Sequence, residues 1–444
     1  MTRFQKYFPL ISIYFLALLV RLIYNLTSAR NYIAKNDALL YNHIAYNIVY
    51  QHCFCIYPNH PAIGRPPLWP FILSIFYRFT PWPSLQLIDS GVQVFYGRLL
   101  NCFIGSFTCV LVYLLARDLF GKRIALISGI IAALYAGLFI YDGWIYSESL
   151  YTFLLTAFIY SLYRLQRTAQ RRWIILSGLF LGLANLTRPN GPILFGMLFL
   201  WAIGVVLAKE LSWQTVVKSI LAITCIAAVL IAPWTYRNYL VTHSFVLVSI
   251  GTGDVLLGVY NDTVLRGTTG LWTSPRFITP RPDLPQEVLA GKDTEQYKVE
   301  DDQIATNYAL HWIGIHWRDM PRLLSLHLIN MWAPYTSLEN GLPFREFPTR
   351  FSSQVVWYMT LLMPIPIFLL AYLGLFVTWR YRKKQLLIVY IVIALTIVEN
   401  LAFWGDMRFR APIEPLLVLL AGGVLWWFTD DEPAKLRNRR KAMD

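Results

Sequence analysis

Three carboxylates at the ends of apolar segments are the side chains best suited to chemistry. Asp37 opens a predicted helix in a polar segment, and Asp142 and Glu148 lie between two apolar runs. A carboxylate inside a membrane span costs roughly 2.5–3.5 kcal/mol on insertion scales, so Glu148, a turn into its predicted helix, needs a reason to be there. A carboxylate can deprotonate a hydroxyl group or hold a divalent cation. These three residues are therefore the predicted catalytic residues.

Two of the carboxylates also have a structural interpretation. The spacing places Asp37, Tyr41 and Ile44 on one helix face, so Asp37 heads an apolar stripe and Tyr41 is a predicted substrate contact. Aspartate is also a favoured N-cap residue, which is the structural alternative for Asp37. For Asp142 the alternative is a place at the membrane interface or a cap on the next helix. The spacing alone leaves both alternatives open.

Several arginines gather on the side of the membrane where topology predicts few basic residues. Short external links are normally poor in arginine, so this set indicates an anionic ligand at the outer leaflet. Arginine binds phosphate oxygens through two parallel hydrogen bonds, and a lipid phosphate suits such a site. The alternative for each arginine is a snorkelling side chain held by phospholipid headgroups. The predicted substrate-binding arginines are Arg65, Arg188, Arg237, Arg408 and Arg410.

The composition indicates a membrane protein that must position these side chains with apolar helices. Apolar residues make up 56% of the 444 residues and charged residues only 14%, against about 25% charged residues in soluble proteins. Apolar runs of about 18 or more residues predict membrane spans. Ten spans are predicted, at residues 8–28, 94–116, 122–141, 146–165, 173–187, 190–208, 216–236, 355–379, 385–403 and 411–428.

The basic residues between the spans predict the topology. They form short clusters in alternate connections, of which Lys435–Lys441 is the last, and this predicts that both termini are cytoplasmic. The net charge of +14 follows from these clusters, so no nucleic-acid partner is expected. Two long loops then face outward, the first loop (residues 29–93) and the second loop (residues 237–354).

The predicted fold is an all-α integral membrane protein of about ten transmembrane helices with a small mixed α/β segment in its loops. Leu68–Phe79 is too short to span and is predicted to be a surface or re-entrant helix entered through Pro66-Pro67. In the second loop, Phe245–Tyr260 is β-branched and Gly-rich, whereas Asp301–Trp332 has helical spacing. Cys53 and Cys55 are expected to be unpaired, because a single intervening residue strains a mutual disulfide.

The predicted domain division follows the same topology. It comprises an N-terminal membrane module at residues 1–236 that contains the catalytic first loop, a loop domain at 237–354, C-terminal helices at 355–430 and a basic cytoplasmic tail at 431–444.

The order of these motifs resembles the GT-C glycosyltransferase superfamily, and within it the protein mannosyltransferase-like and aminoarabinose-transferase-like bacterial enzymes. The resemblance runs from about residue 8 to residue 260 and returns at residues 311–334 and 408–415. It is carried by Arg21, Asp37 with Tyr41, Arg65-Pro66-Pro67, Ser147-Glu148, Leu186-Thr187-Arg188-Pro189, and Pro233-Trp234 with Arg237-Asn238.

The resemblance implies an enzyme that transfers a sugar from a polyprenyl phosphate to an acceptor hydroxyl with inversion, at a site above the outer leaflet. Asp37 then matches the general base, Glu148 matches a residue that orients the acceptor or a metal ion, and the arginines hold the phosphate. Several relatives carry paired acidic residues in the first loop, whereas Asn36 and Ala38 flank Asp37 here, so dependence on a divalent metal ion stays open. Residues 261–300 match nothing in the family and are expected to select the acceptor.

The main alternative function is a transporter or flippase of an anionic lipid or solute, because charge inside a membrane also marks a permeation path. The carboxylates lie at one face instead of the midplane, and no internal repeat is visible, which favours the enzyme. A scaffold or receptor leaves the carboxylates unexplained. The expected partners are a polyprenyl-phosphate sugar, membrane lipids and a glycan, lipid or protein acceptor, with a bacterial inner membrane as the expected location.

Overall fold

The structure is a computed structural model that describes residues 3–30, 32–57, 60–80, 91–333 and 358–429. Several predicted features therefore lie wholly or partly outside the described residues. They include parts of the first loop (residues 31, 58–59 and 81–90), the end of the second loop with Pro334, the start of the predicted span 355–379, and the tail 431–444 with its basic cluster Lys435–Lys441.

Helices dominate the N-terminal half of the chain. Ten α-helices are described there, with one strand pair in the first loop and a 3-10 helix at Ile140–Gly143. The strands are β1 (Cys55–Tyr57) and β2 (His60–Pro61), which pair antiparallel. The helices are α1 (Arg3–Leu26), α2 (Asn36–Tyr50), α3 (Leu68–Tyr77), α4 (Val92–Phe120), α5 (Lys122–Leu134), α6 (Ala136–Phe139), α7 (Glu148–Thr168), α8 (Arg171–Thr187), α9 (Gly191–Leu207) and α10 (Trp213–Thr242).

The second loop and the C-terminal membrane segment are also helical where the structure describes them. Short 3-10 helices occur at Pro275–Phe277 and Ala411–Ile413. The α-helices are α11 (Thr252–Val259), α12 (Asp262–Arg266), α13 (Gln286–Ala290), α14 (Val299–Ile315), α15 (Met320–Trp332), α16 (Pro364–Arg382), α17 (Leu387–Ala402), α18 (Met407–Arg410) and α19 (Glu414–Thr429).

Each of the ten predicted spans coincides with a helix, but fewer helices are long and apolar enough to cross a membrane unaided. Among the described residues five segments meet that standard, and the pair α5 and α6 with its 3-10 extension makes a sixth if the 64° bend is one broken span. The chain is therefore an integral membrane protein, and the number ten stays a prediction. The five segments are Tyr7–Leu26, Val92–Phe120, Trp213–Thr242, Tyr358–Arg382 and Met407–Thr429.

The segment Met407–Thr429 forms the centre of the bundle. It is buried over most of its length, whereas α1, α10 and α16 leave most of their apolar surface exposed, as helices facing lipid do. Close approach to α16 depends on Gly374, where an added Cβ would lie 2.0 Å from the Leu420 carbonyl oxygen. Small residues at such contacts let helix backbones pack closely in membranes.

The loops differ in part from the sequence expectations. Phe245–Tyr260 is not a strand: its first residues are irregular, and the chain turns at Gly251 (φ +126°) into the helix α11. Within the described part of the second loop there is no strand, so the only β-structure seen is the pair in the first loop. The predicted helices at Leu68–Phe79 and Asp301–Trp332 are confirmed as α3 and as α14 with α15.

The expectation for the two loop cysteines is wrong. Cys53 and Cys55 are bonded to each other as a disulfide beside β1. The local chain brings the two Cα atoms to 5.4 Å, within the distance that a disulfide spans.

Candidate active site

Six charged side chains from distant parts of the chain form one alternating series of acids and arginines. Neighbouring members contact each other through ion pairs, and the series joins the second loop, the first loop and the ends of three bundle helices. The charges of three carboxylates and three guanidiniums cancel, and this pairing offsets the free-energy cost of burying most of the series. In order, the members are Asp293, Arg65, Asp37, Arg408, Glu148 and Arg188.

Asp37 lies at the middle of this series, in the first turn of α2. The N-cap position belongs to Lys35, and the Asp37 carboxylate instead binds two guanidiniums, with Oδ1 2.8 Å from Arg65 Nη1 and Oδ2 2.7 Å from Arg408 Nη2. The N-cap interpretation of Asp37 is therefore wrong. Burial alone would favour the neutral acid, but the charges of Arg65, Arg408 and Lys292 outweigh it and hold the pKa of Asp37 well below its usual range.

The Asp37 side chain keeps 26% of its surface exposed, whereas its arginine partners are more deeply buried. An incoming hydroxyl group therefore has access to this carboxylate. Asp293, at 32%, is the other carboxylate of the series whose side chain is partly exposed.

Glu148 begins α7 and is almost fully buried, with 1% of its side chain exposed. Its Oε1 atom accepts from Arg188 Nη2 at 2.5 Å and from Arg408 Nε. The positive end of the helix dipole also favours a carboxylate in this first turn. Among the described residues its Oε2 atom has no hydrogen-bond partner. Glu148 therefore holds two guanidiniums at one oxygen, and its other oxygen is buried.

Aromatic rings flank the two arginines that meet at Glu148. The Arg408 guanidinium lies 4.3 Å from the centre of the Tyr146 ring, and that of Arg188 lies 5.3 Å from the centre of Tyr151. Phe409 lies 5.8 Å from both guanidiniums. Arginine stacked on aromatic faces keeps its planar donors in a fixed orientation. Two oriented guanidiniums therefore converge on one carboxylate oxygen.

Arg65 lies just before α3 and joins the two loops. Its Nε and Nη2 atoms donate to both carboxylate oxygens of Asp293, at 2.9 and 2.5 Å, and its third nitrogen donates to Asp37. Burial opposes the charged form, but Asp293 and Asp37 outweigh it and raise the pKa of Arg65 well above its usual value. The Tyr41 ring centre lies 5.8 Å from this guanidinium, so Tyr41 borders the site as predicted from its helix face.

Asp293 is the member of the series that the sequence analysis missed. It lies in the stretch 261–300, which matches no family pattern, and it is 228 residues away from its partner Arg65. Its only signal in the sequence is an acidic residue after Gly291-Lys292 in a turn-rich stretch. That signal is shared by many exposed loop residues.

Two predicted site residues form ion pairs outside the series. Asp142 is fully buried and binds Arg21 Nε at 2.6 Å inside the bundle. Arg410 binds Glu414 at 2.6 Å, again within the bundle. Their charges are therefore taken up by structural ion pairs.

Arg237 lies beside the first loop. It donates to the backbone carbonyls of Ala62 and Phe54 at 3.0 and 3.3 Å, and its guanidinium lies 4.8 Å from a ring centre of Trp234. It lines a cavity of about 190 Å³ next to the disulfide. These contacts hold the first loop against α10.

The residues of the series do not fit a divalent cation. Asp37 and Glu148 both direct oxygens at guanidiniums, and across the described residues no group of three or more His, Cys, Asp or Glu side chains lies close enough together to hold a metal ion. Divalent cations prefer several oxygen ligands around one point. No step of the chemistry below is assigned to a metal ion.

Comparison with known proteins identifies the architecture that carries this site. Residues 64–236 match the family model described as dolichyl-phosphate-mannose-protein mannosyltransferase. The Archaeoglobus fulgidus oligosaccharyltransferase AglB, in complex with an inhibitory peptide and a dolichol-phosphate, superposes with a TM-score of 0.54 at 14% identity, over 100% of this chain and 52% of that one. The Archaeoglobus fulgidus oligosaccharyltransferase tethered to an acceptor peptide superposes with a TM-score of 0.56 at 15% identity, over 98% of this chain and 51% of that one. The chain has a GT-C fold.

The predicted resemblance to the GT-C superfamily is thus confirmed. The chain spans about half the length of the oligosaccharyltransferases it matches. ArnT from Cupriavidus metallidurans, bound to undecaprenyl phosphate, gives a TM-score of 0.42 at 14% identity over 97% of this chain and 80% of that one, a score too low to show a shared fold. No curated protein sequence matches the chain.

The site is not confined to the segment that the family model matches. Arg65, Glu148 and Arg188 lie inside residues 64–236, whereas Asp37, Arg408 and Asp293 lie outside it. The rest of the GT-C fold therefore contributes half of the charged series.

Proposed function

We propose that this chain is an inverting glycosyltransferase that moves a sugar from a polyprenyl-phosphate donor to an acceptor hydroxyl at the outer face of the membrane. The observation that carries the proposal is the position of Arg408, which binds both Asp37 and Glu148 while Arg188 binds the same Glu148 oxygen. A candidate base and a two-arginine anion site are thus adjacent at one end of a membrane bundle.

The arginines provide the part of the site suited to the donor phosphate. Arg188 and Arg408 both donate to one oxygen of Glu148, and each guanidinium has further N–H groups that can donate to a phosphate oxygen beside that carboxylate. The leaving phosphate gains negative charge as the glycosidic bond breaks, and oriented guanidiniums stabilise that charge. The match to a structure that contains a dolichol-phosphate supports a lipid phosphate as the ligand class.

Asp37 is the proposed general base. The acceptor oxygen attacks the anomeric carbon, the bond from that carbon to the phosphate oxygen breaks, and the phosphate leaves with the electron pair. The acceptor proton passes to the carboxylate, and a single displacement inverts the configuration. When the donor phosphate attracts Arg408, Asp37 retains the ion pair with Arg65 and the charge of Lys292, so its pKa rises from the depressed value and its strength as a base increases.

The orientation of the chain supports an external site. Alternate connections rich in basic residues predict that both termini lie in the cytoplasm, and in that orientation the helix ends that carry Glu148 and Arg188 face outward. We assign the protein to a bacterial inner membrane, with the sugar, a hexose or a pentose, delivered on the periplasmic side.

The proposal is tested with purified protein in liposomes that contain polyprenyl-phosphate sugars. We expect release of polyprenyl phosphate together with a glycosylated acceptor, both detected by mass spectrometry, and an anomeric configuration opposite to that of the donor. Mass spectrometry of co-purified lipids identifies the donor to supply. Movement of lipid or solute across the vesicle with no donor consumed would replace the enzyme with a transporter or flippase.

A further inference from the structure

The contact between Asp293 and Arg65 connects the unmatched part of the second loop to the proposed base. We propose that Asp293 is a positioning residue, which fixes Arg65 and through it the orientation of the Asp37 carboxylate. This inference rests on the proposed function and assigns a role to the stretch 261–300, which matches no family pattern.

The geometry of Arg65 shows how the position of Asp37 depends on Asp293. Asp293 binds the Nε–Nη2 edge of the guanidinium with two hydrogen bonds of 2.9 and 2.5 Å. The third nitrogen, Nη1, donates to Asp37 Oδ1 at 2.8 Å. Without Asp293 the guanidinium loses two of these three hydrogen bonds and is free to turn. Asp37 Oδ1 would then lose its fixed donor, and the carboxylate would no longer present one orientation to an acceptor hydroxyl.

The turn that carries Asp293 is built to hold it there. Gly291 adopts φ +91°, which favours glycine, and its carbonyl accepts from the Thr294 hydroxyl at 2.8 Å. The backbone N–H of Lys292 donates to the Asp254 carboxylate at 3.3 Å. Asp254 is buried in α11, so the turn is fixed to a helix of the second loop.

The same turn contacts the first loop beside Arg65. An added Cβ on Gly64 would lie 2.8 Å from the Lys292 carbonyl oxygen, so the two backbones touch at the residue before Arg65. The Ile250 N–H donates to the Ile63 carbonyl at 3.1 Å. Apolar side chains of both loops also cluster here, including Tyr297. Asp293 and Arg65 therefore meet within a docked interface and not through two free side chains.

The position of Asp293 in the series predicts which kinetic constant it controls. Arg188 and Glu148 form the opposite end of the series, with Asp37 and Arg408 in between. Loss of Asp293 should therefore disturb the base and leave the phosphate site intact. We expect a lower kcat with little change in the KM for the donor.

The test compares Asp293→Asn with Glu295→Gln, a matched control on the same turn whose half-exposed carboxylate lies 3.5 Å from His60. In liposomes we expect Asp293→Asn to lower kcat roughly 10- to 100-fold, as a misplaced group does, with a donor KM within about twofold of the wild type. Asp293→Glu should recover part of the rate. In an Arg65→Lys background, Asp293→Asn should add less than about twofold, because residues that act through one contact are not additive.

Two results would overturn the inference while leaving the proposed function in place. One is a wild-type kcat in Asp293→Asn. The other is a double variant in which the fold-changes in kcat of Asp293→Asn and Arg65→Lys multiply. Absence of sugar transfer by the wild type would instead refute the proposed function.

Hydrogen exchange tests the positioning contact independently of activity. The probes are the amides of Ala38 and Leu39 in the first turn of α2. They should exchange faster in Asp293→Asn than in the control Glu295→Gln. They should also exchange faster in Gly64→Ala, which separates the two loops with no change of charge. Exchange equal to that of the wild type in both variants would overturn the inference, whether or not the protein transfers sugar.

Discussion

Replacing Glu148 by glutamine tests the balance of charge in the buried part of the site. The side chain is 1% exposed and binds Arg188 and Arg408, whose side chains are 10% and 14% exposed. In Glu148→Gln, Arg408 keeps Asp37 as a partner, but the Arg188 guanidinium loses its ion-pair partner in a place with little water and keeps only the longer-range charge of Glu399. Removing one partner of a buried ion pair costs about 3–5 kcal/mol, so we expect the free energy of unfolding to fall by that amount.

The assay is equilibrium unfolding in mixed micelles, followed by tryptophan fluorescence. Asp118→Asn is the matched control, because Asp118 binds Arg164 at 2.6 Å in a partly exposed pair and such pairs contribute about 0–1 kcal/mol. A loss of less than about 1 kcal/mol in Glu148→Gln, equal to that of the control, would refute the claim that Glu148 neutralises two buried guanidiniums.

Further predictions separate binding, titration and structural ion pairs. In a vesicle-binding titration, Arg188→Ala should weaken binding of polyprenyl phosphate roughly 10- to 100-fold, as loss of a hydrogen bond to a charged group does. Unchanged affinity would mean that the phosphate site lies elsewhere. The depressed pKa of Asp37 means that its ion pairs stabilise the fold above the unfolded-state pKa of about 3.9. The melting temperature of the wild type should therefore exceed that of Asp37→Asn by a constant amount between about pH 5 and pH 8, and the difference should shrink as the pH falls below about 4. A difference that grows in acid would contradict the sign of this shift. Glu414→Gln should lower the melting temperature and leave the donor affinity within about twofold of the wild type, since Arg410 and Glu414 pair inside the bundle. A large loss of donor affinity would indicate that Arg410 belongs to the donor site.

The sequence was sufficient to predict most of the helices and five members of the charged series. Apolar periodicity is strong in spans, so their existence was evident, and Asp37, Arg188, Arg408 and Glu148 were recognisable because each is a costly charge next to apolar residues. Arg65 was found through its place before two prolines in a family pattern.

The remaining contacts depend on which distant segments meet, and spacing along the chain does not contain that information. Asp142 and Arg410 looked like site residues, yet Arg21 and Glu414 neutralise them inside the bundle. Asp293 was missed because its partner is 228 residues away. Phe245–Tyr260 has the composition of a strand, but no partner strand is described beside it and the residues after Gly251 form a helix.

The central claim is that Asp37 accepts the proton of the acceptor hydroxyl during sugar transfer. Its most direct test is a single-turnover measurement of sugar transfer from a polyprenyl-phosphate donor by the wild type and by Asp37→Asn, with both shown to fold and to bind donor equally. We predict that Asp37→Asn lowers the single-turnover rate of sugar transfer roughly 100-fold or more, as loss of a general base does. Transfer at the wild-type rate in Asp37→Asn would contradict it.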